Sequence, residues 1–155
     1  MFDDQTPRLY LEDLRIGDVF TSAEYVVDEA SIIEFARQFD PQPFHTDPEA
    51  AKPTFFGGLA ASGWHTAAIT MRLLVTSGLP LADGIVGASA ELSWLRPTRP
   101  GDTLRAEATI REIRPSRSKP DRALVTFNLD TTNQDNEVVQ RFTGKLSRKN
   151  RPPAD

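Results

Sequence analysis

Two histidines, His45 and His65, are the imidazoles of a chain that contains no cysteine. Proton transfer near neutral pH therefore falls to them and to any carboxylate close by. His45 lies in Phe39-Asp40-Pro41-Gln42-Pro43-Phe44-His45-Thr46-Asp47-Pro48. The prolines hold Asp40 and Gln42 near extended geometry, and no helix is expected through the segment. Fully extended, Asp40 and His45 would stand roughly 15 Å apart at about 3.1 Å per residue, so shared chemistry needs the loop to bend back. With such a bend, His45 takes or gives a proton while Asp40 orients it or shares one water with it. The same residues also read as a proline-stiffened loop with a helix-capping Asp and a surface His.

The second candidate is Ser62-Gly63-Trp64-His65. A glycine at the front of a helix leaves its backbone N–H open to a ligand, and the helix end favours negative charge, as an oxyanion site requires. The alternative is a glycine that only lets sheet and helix touch. His65 falls seven residues before Arg72 on a buried helix and reads as a packed, hydrogen-bonded structural residue. Gly57-Gly58 lacks the spacing of a phosphate-binding loop, and no Gly-x-Ser-x-Gly elbow occurs. Two histidines without ligand spacing predict no metal site. Arg111, Arg114, Arg117, Lys119 and Arg122 read as a solvated hairpin tip, or else as a contact for ligand phosphates.

These residues must be placed by helices and strands. Val19 to Val27 alternates as a strand, with Val19, Thr21, Ala23, Tyr25 and Val27 on one face. Asp28 or Ser31 caps a helix whose apolar face is Ile32, Phe35, Ala36 and Phe39, and which stops at Asp40 before Pro41. Asp47-Pro48-Glu49-Ala50-Ala51 predicts a short second helix. A third, from Leu59 to about Thr76, has small residues almost all round and no polar face, so protein surrounds it. Strands then follow around Ala88 to Trp94, Leu104 to Arg111, Ala123 to Asp130 and Val138 to Leu146. The turns between them are short, so these strands are expected to be antiparallel neighbours. The fold class is α+β: one long buried helix against a single curved antiparallel sheet. Such a sheet covers the helix on one side, and a second copy of the chain is the simplest cover for the rest.

Composition narrows the function classes. The 155 residues are 39% hydrophobic with a net charge of −4, which fits one domain with an ordinary core. That domain is expected to span 1–155, with its core at about 11–148 and a loose tail from Asn150. Acidic charge argues against nucleic acid. The apolar stretch from Leu59 to Leu79 is broken by Ser62, His65, Thr66, Thr70 and Arg72, so no membrane span is expected. Met1-Phe2-Asp3-Asp4 carries acids where a leader has basic residues, which predicts a cytoplasmic protein.

Several of these motifs occur together in one known family. Gly17-Asp18 precedes the first strand, Asp40, Pro43, His45 and Asp47 form Asp-x-x-Pro-x-His-x-Asp, and Ser62-Gly63 opens the long helix. Arg96 to Leu104 reads Arg-Pro-x-x-Pro-Gly-Asp-x-Leu. From about Leu11 to Leu146 the chain resembles the MaoC-like dehydratases of the hot-dog fold, which include the (R)-specific enoyl-CoA hydratases. The resemblance implies that Asp40 and His45 hold and activate a water and that the Gly63 N–H binds a thioester carbonyl oxygen. It implies a homodimer with sites at the interface, an acyl-CoA substrate, and no cofactor besides that thioester. Gln42 stands where hydratases of the family have Asn, and Trp64 follows Gly63 where it would narrow the acyl tunnel; Gln42, Ser62 and Trp64 are the candidate substrate contacts. The implied reaction is reversible hydration of a trans-2-enoyl-CoA to the (R)-3-hydroxyacyl-CoA. The alternatives are a hot-dog acyl-CoA thioesterase and a non-catalytic acyl-binding or assembly subunit.

Overall fold

The computed structural model describes Phe2 and residues 6–152. The acidic start at Met1, Asp3 and Asp4, and Pro153 to Asp155 of the tail, lie outside the described residues.

Alternation in the sequence becomes one antiparallel sheet of β1 (Val19–Val26), β2 (Gly87–Trp94), β3 (Thr103–Pro115), β4 (Arg122–Thr132) and β5 (Val138–Lys149). The strand order is β1-β3-β4-β5-β2. Leu104, Ala106, Ala108 and Ile110 of β3 and Val125, Phe127 and Leu129 of β4 are buried on the inner face. Fully burying a Leu or Phe side chain is worth about 1.5–3 kcal/mol, so this face supplies much of the core. Among the described residues the α-helices are α1 (Glu29–Phe39), α2 (Pro43–Thr46), α3 (Pro48–Ala51) and α4 (Gly63–Leu73), and a π-helical turn, Leu74–Gly78, continues α4 through Val75. The inner face of the sheet receives α4 through Ile69, Thr70 and Leu73. This is the hot-dog arrangement, a curved sheet around a central helix. No helix among the described residues is long and apolar enough to cross a membrane.

Four expectations are corrected, each for a local reason. The central helix starts at Gly63, not Leu59, because Leu59–Ser62 stays extended: the Ala60 N–H donates to Phe44 O and the Ala61 N–H to Thr98 O. Ser62 then caps the helix by accepting the Trp64 N–H at 3.2 Å. In β1 a bulge between Thr21 and Glu24 reverses the faces. Val19, Thr21 and Ala23 are exposed, Val27 is buried, and Ser22 is buried with its hydroxyl accepting the Ala106 N–H. Phe39 ends α1 exposed rather than in the core. Finally β2 and β3 are not neighbours: β2 pairs with β5, and the connection after Trp94 crosses the start of α4, where Thr98 bonds both Ala61 and Thr66.

Asn150 and Arg151, at the start of the tail, have partners. The Asn150 N–H donates to Asp121 O, the Arg151 N–H donates to the Glu12 carboxylate, and the Arg151 guanidinium lies over the Tyr10 ring. The basic residues from Arg111 to Lys119 are exposed, as a solvated hairpin tip should be. One side of α4 remains open, with Trp64, Met71 and Val75 exposed, and beside it β2 is exposed along its length except for half-buried Leu92.

Candidate active site

The bend that brings Asp40 to His45 comes from proline placement. Asp28 caps α1 by accepting the Ser31 N–H at 2.8 Å, and the helix ends at Asp40 because Pro41 disfavours helix in the residue before it. The expectation that the prolines forbid any helix is corrected here: Pro43 occupies the first position of α2, where its fixed φ and missing N–H suit a helix start. That single turn carries His45 back, and its Nε2 lies 3.5 Å from Asp40 Oδ2. His45 is buried, so the surface-His reading does not hold.

The strap before α4 sets the chemistry of both groups. His45 Nδ1 lies 2.7 Å from Ala60 O. A carbonyl only accepts, so Nδ1 carries the proton and donates it, and Nε2 of the neutral ring is an acceptor. Asp40 Oδ2 accepts the Ser62 hydroxyl and Oδ1 accepts the Gln42 amide N–H, each at 2.7 Å. Burial pushes the Asp40 carboxyl up, but the hydrogen bonds from Ser62 and Gln42, joined by the charge of His45 when that ring is protonated, outweigh it and hold the group below the usual carboxylate range. The carboxylate is therefore ionised at neutral pH. With the ring neutral, these are two acceptors 3.5 Å apart that have no hydrogen to share between themselves. A donor with two hydrogens, which water is, satisfies both at once.

Removing the Ser62 hydroxyl tests this balance. Ser62→Ala should raise the Asp40 pKa, so any activity that needs the carboxylate falls off at higher pH on the acid side of its profile. The stability that ionised Asp40 contributes, present above its unfolded pKa and lost as pH falls through its folded one, should shrink in the same variant. A pH–rate profile and melts across the acid range check both.

Gly63 holds the first helical position of α4, where the backbone N–H has no partner within the helix. The indole of Trp94 lies against its Cα: a Cβ there would stand 2.5 Å from Trp94 Cε2. The close-approach reading of this glycine thus holds, with β2 as the neighbour. Trp94 Nε1–H is shared at 3.0 Å between Gly63 O and the Oε1 of buried Gln140. Asp40, His45, Ser62, Gly63 and Trp64 all line one cavity of about 440 Å³. Gln42 sits beside the carboxylate and is not among the lining residues. His65 lies outside the cavity, stacked on Phe35 with centroids 4.6 Å apart, and its buried Nδ1 has no hydrogen bond, contrary to the expectation of a hydrogen-bonded residue.

The sequence matches the MaoC like domain over residues 14–133, a span that contains every residue lining this cavity. The chain belongs to the MaoC-like family. It is 33% identical over 138 residues to the uncharacterized protein YdeM of Bacillus subtilis, covering 88% of this chain and 95% of that one. It is 28% identical over 132 residues to the (R)-specific enoyl-CoA hydratase of Rhodospirillum rubrum, covering 84% and 86%. The crystal structure of the MaoC-like dehydratase from Rhodospirillum rubrum superposes with a TM-score of 0.92 at 64% identity, over 94% of this chain and 99% of that one.

Other members of this MaoC-like site were not singled out from sequence. Trp94 read as an ordinary strand residue, yet it walls the cavity, and Phe55, Phe56 and Thr98 line it too. Arg99 read only as part of a turn motif. Its guanidinium donates to Gly58 O at 2.9 Å, Leu59 O at 3.1 Å and Phe56 O at 2.5 Å, fixing the loop that presents the Phe56 wall. A lysine cannot reach three carbonyls with a planar fork. Arg99→Lys should cost about 2 kcal/mol in urea unfolding, the scale of one or two lost charge-assisted bonds.

Proposed function

We propose that the protein hydrates trans-2-enoyl thioesters reversibly to (R)-3-hydroxyacyl thioesters, with acyl-CoA as substrate. The observation that carries this reading is the pair of acceptors at 3.5 Å, His45 Nε2 and Asp40 Oδ2, in one cavity with the N1 amide of Gly63. A water that donates one hydrogen to each acceptor turns an oxygen lone pair toward C3 of the enoyl group. As the C3–O bond forms, the pair takes one proton from the water and a proton is returned to C2, so the pair ends as it began. Negative charge that develops on the thioester oxygen meets the Gly63 N–H at the positive end of α4. The R product is the outcome that the family likeness supports. No cofactor takes part beyond the thioester, and the whole chain acts as one domain in the cytoplasm.

A homodimer completes this reading. An unpaired β2 edge, with exposed Trp64, Met71 and Val75 on the open side of α4, is a surface that a second copy would cover. Trp64 belongs to that open side and also lines the cavity, which supports a site at the interface of the two copies. Sedimentation should give twice the chain mass.

The test is direct. Purified protein mixed with crotonyl-CoA should lower the enone absorbance, yield (R)-3-hydroxybutyryl-CoA, and release no free thiol. Thiol release from saturated acyl-CoA, or binding without turnover, would contradict it.

A further inference from the structure

The cavity wall is mostly aromatic and apolar, with Phe55, Phe56, Trp64, Trp94 and Leu95. One cation stands in it. Arg96 lines the same space as Asp40 and His45, and nothing in the hydration chemistry above uses it. Its backbone is held firmly: the N–H groups of Leu95 and Arg96 both donate to Val139 O, and Pro97 restricts Arg96 to extended geometry. On the protein side its Nε faces Glu137 Oε1 at 3.2 Å, a pair whose side chains are about half exposed. Such a pair contributes little stability and does not account for a cation in an apolar wall. Arg99, three residues on, spends its guanidinium on three carbonyls. Among the described residues the Arg96 guanidinium makes no hydrogen bond, so its planar fork of Nη donors is available to an anion.

We infer that Arg96 is a specificity residue that recognises a carboxylate at the far end of a short acyl chain, so that the preferred substrates are short enoyl thioesters carrying a second, acidic group. This inference rests on the proposed hydration. With the thioester carbonyl at Gly63 and C3 at the Asp40–His45 pair, both ends of the reacting unit are fixed inside about 440 Å³. The phosphates of CoA lie beyond the whole pantetheine arm, whereas a carboxylate on the acyl chain stays within the cavity. Apolar pockets with a few placed polar groups discriminate in this way.

The experiment compares trans-2-pentenoyl-CoA with trans-glutaconyl-CoA, in which a carboxylate replaces the terminal methyl. The wild-type protein should favour the acid by about ten- to a hundredfold in kcat/KM, the worth of hydrogen bonds to a charged partner. That ratio should collapse toward one in Arg96→Gln, chiefly through KM for the acid, and be partly restored in Arg96→Lys. An unchanged ratio in Arg96→Gln overturns the inference. Equal losses on both CoA substrates also overturn it, and the pentenoyl thioester of N-acetylcysteamine then shows the source: a loss absent from that phosphate-free substrate assigns Arg96 to CoA phosphate. Turnover of neither substrate by the wild-type protein defeats the hydratase reading itself. Calorimetric binding of S-(3-carboxypropyl)-CoA against S-butyl-CoA then decides on Arg96, whose role stands if the wild type prefers the acid and Arg96→Gln does not, and falls otherwise.

Discussion

Asp40→Asn and His45→Ala should each lower the hydration of crotonyl-CoA by about a hundred- to ten-thousandfold while the protein remains folded. Each removes one of the two acceptors that lie 3.5 Å apart. Asn is close in shape to Asp and can still meet Ser62 and Gln42, but its amide presents a fixed donor where the carboxylate accepts. His45→Ala leaves Ala60 O without the Nδ1–H donor and removes a buried ring packed edge-on to Phe44. That variant should therefore also lose about 1–3 kcal/mol of stability, whereas Asp40→Asn should lose only the smaller contribution of the ionised carboxylate. The two variants differ in stability and agree in rate, so their comparison separates chemistry from folding. Steady-state rates beside thermal melts make the check, and wild-type turnover in both would remove the pair from the mechanism.

Gly63→Ala should have the second large effect, on stability and rate together. The added Cβ would meet Trp94 Cε2 at 2.5 Å and Nε1 at 2.9 Å. Neither atom is the end of a flexible chain, and the indole N–H is shared with Gly63 O and Gln140. The ring must move, at the cost typical of overpacking, about 1–3 kcal/mol. Displacement of the Gly63 amide should further lower kcat by about a hundred- to a thousandfold, the loss seen when one oxyanion donor is removed. Adding Trp94→Leu opens space beside residue 63 and should restore part of the stability. The rate should not follow, because the wall that fixes the helix start has gone. A wild-type rate in Gly63→Ala, with the destabilisation present, would deny the Gly63 amide its proposed role.

Local signals made much of this architecture readable. Leu104, Ala106, Ala108 and Ile110 alternate strictly, and they are buried in β3 as the period demands. Asp28 and Asp47 cap the helices expected of them. What could not be read locally depends on partners far along the chain. The start of α4 is delayed because Ala60 and Ala61 give their N–H groups to Phe44 and Thr98. The place of β2 depends on its pairing with β5, which no turn residue encodes. Of the site, the Asp40–His45 spacing was legible, but the bend that closes it follows from Pro43 starting a turn of helix. Trp94 carried no signal at all. Its importance comes from touching a glycine 31 residues away.

The most direct measurement is the crystal structure of the Asp40→Asn protein with (R)-3-hydroxybutyryl-CoA bound. The 3-hydroxyl should lie within hydrogen-bond reach of both residue 40 and His45 Nε2, with the thioester oxygen on the Gly63 N–H. An acyl group lodged outside this cavity, or a hydroxyl that meets neither side chain, would contradict the account.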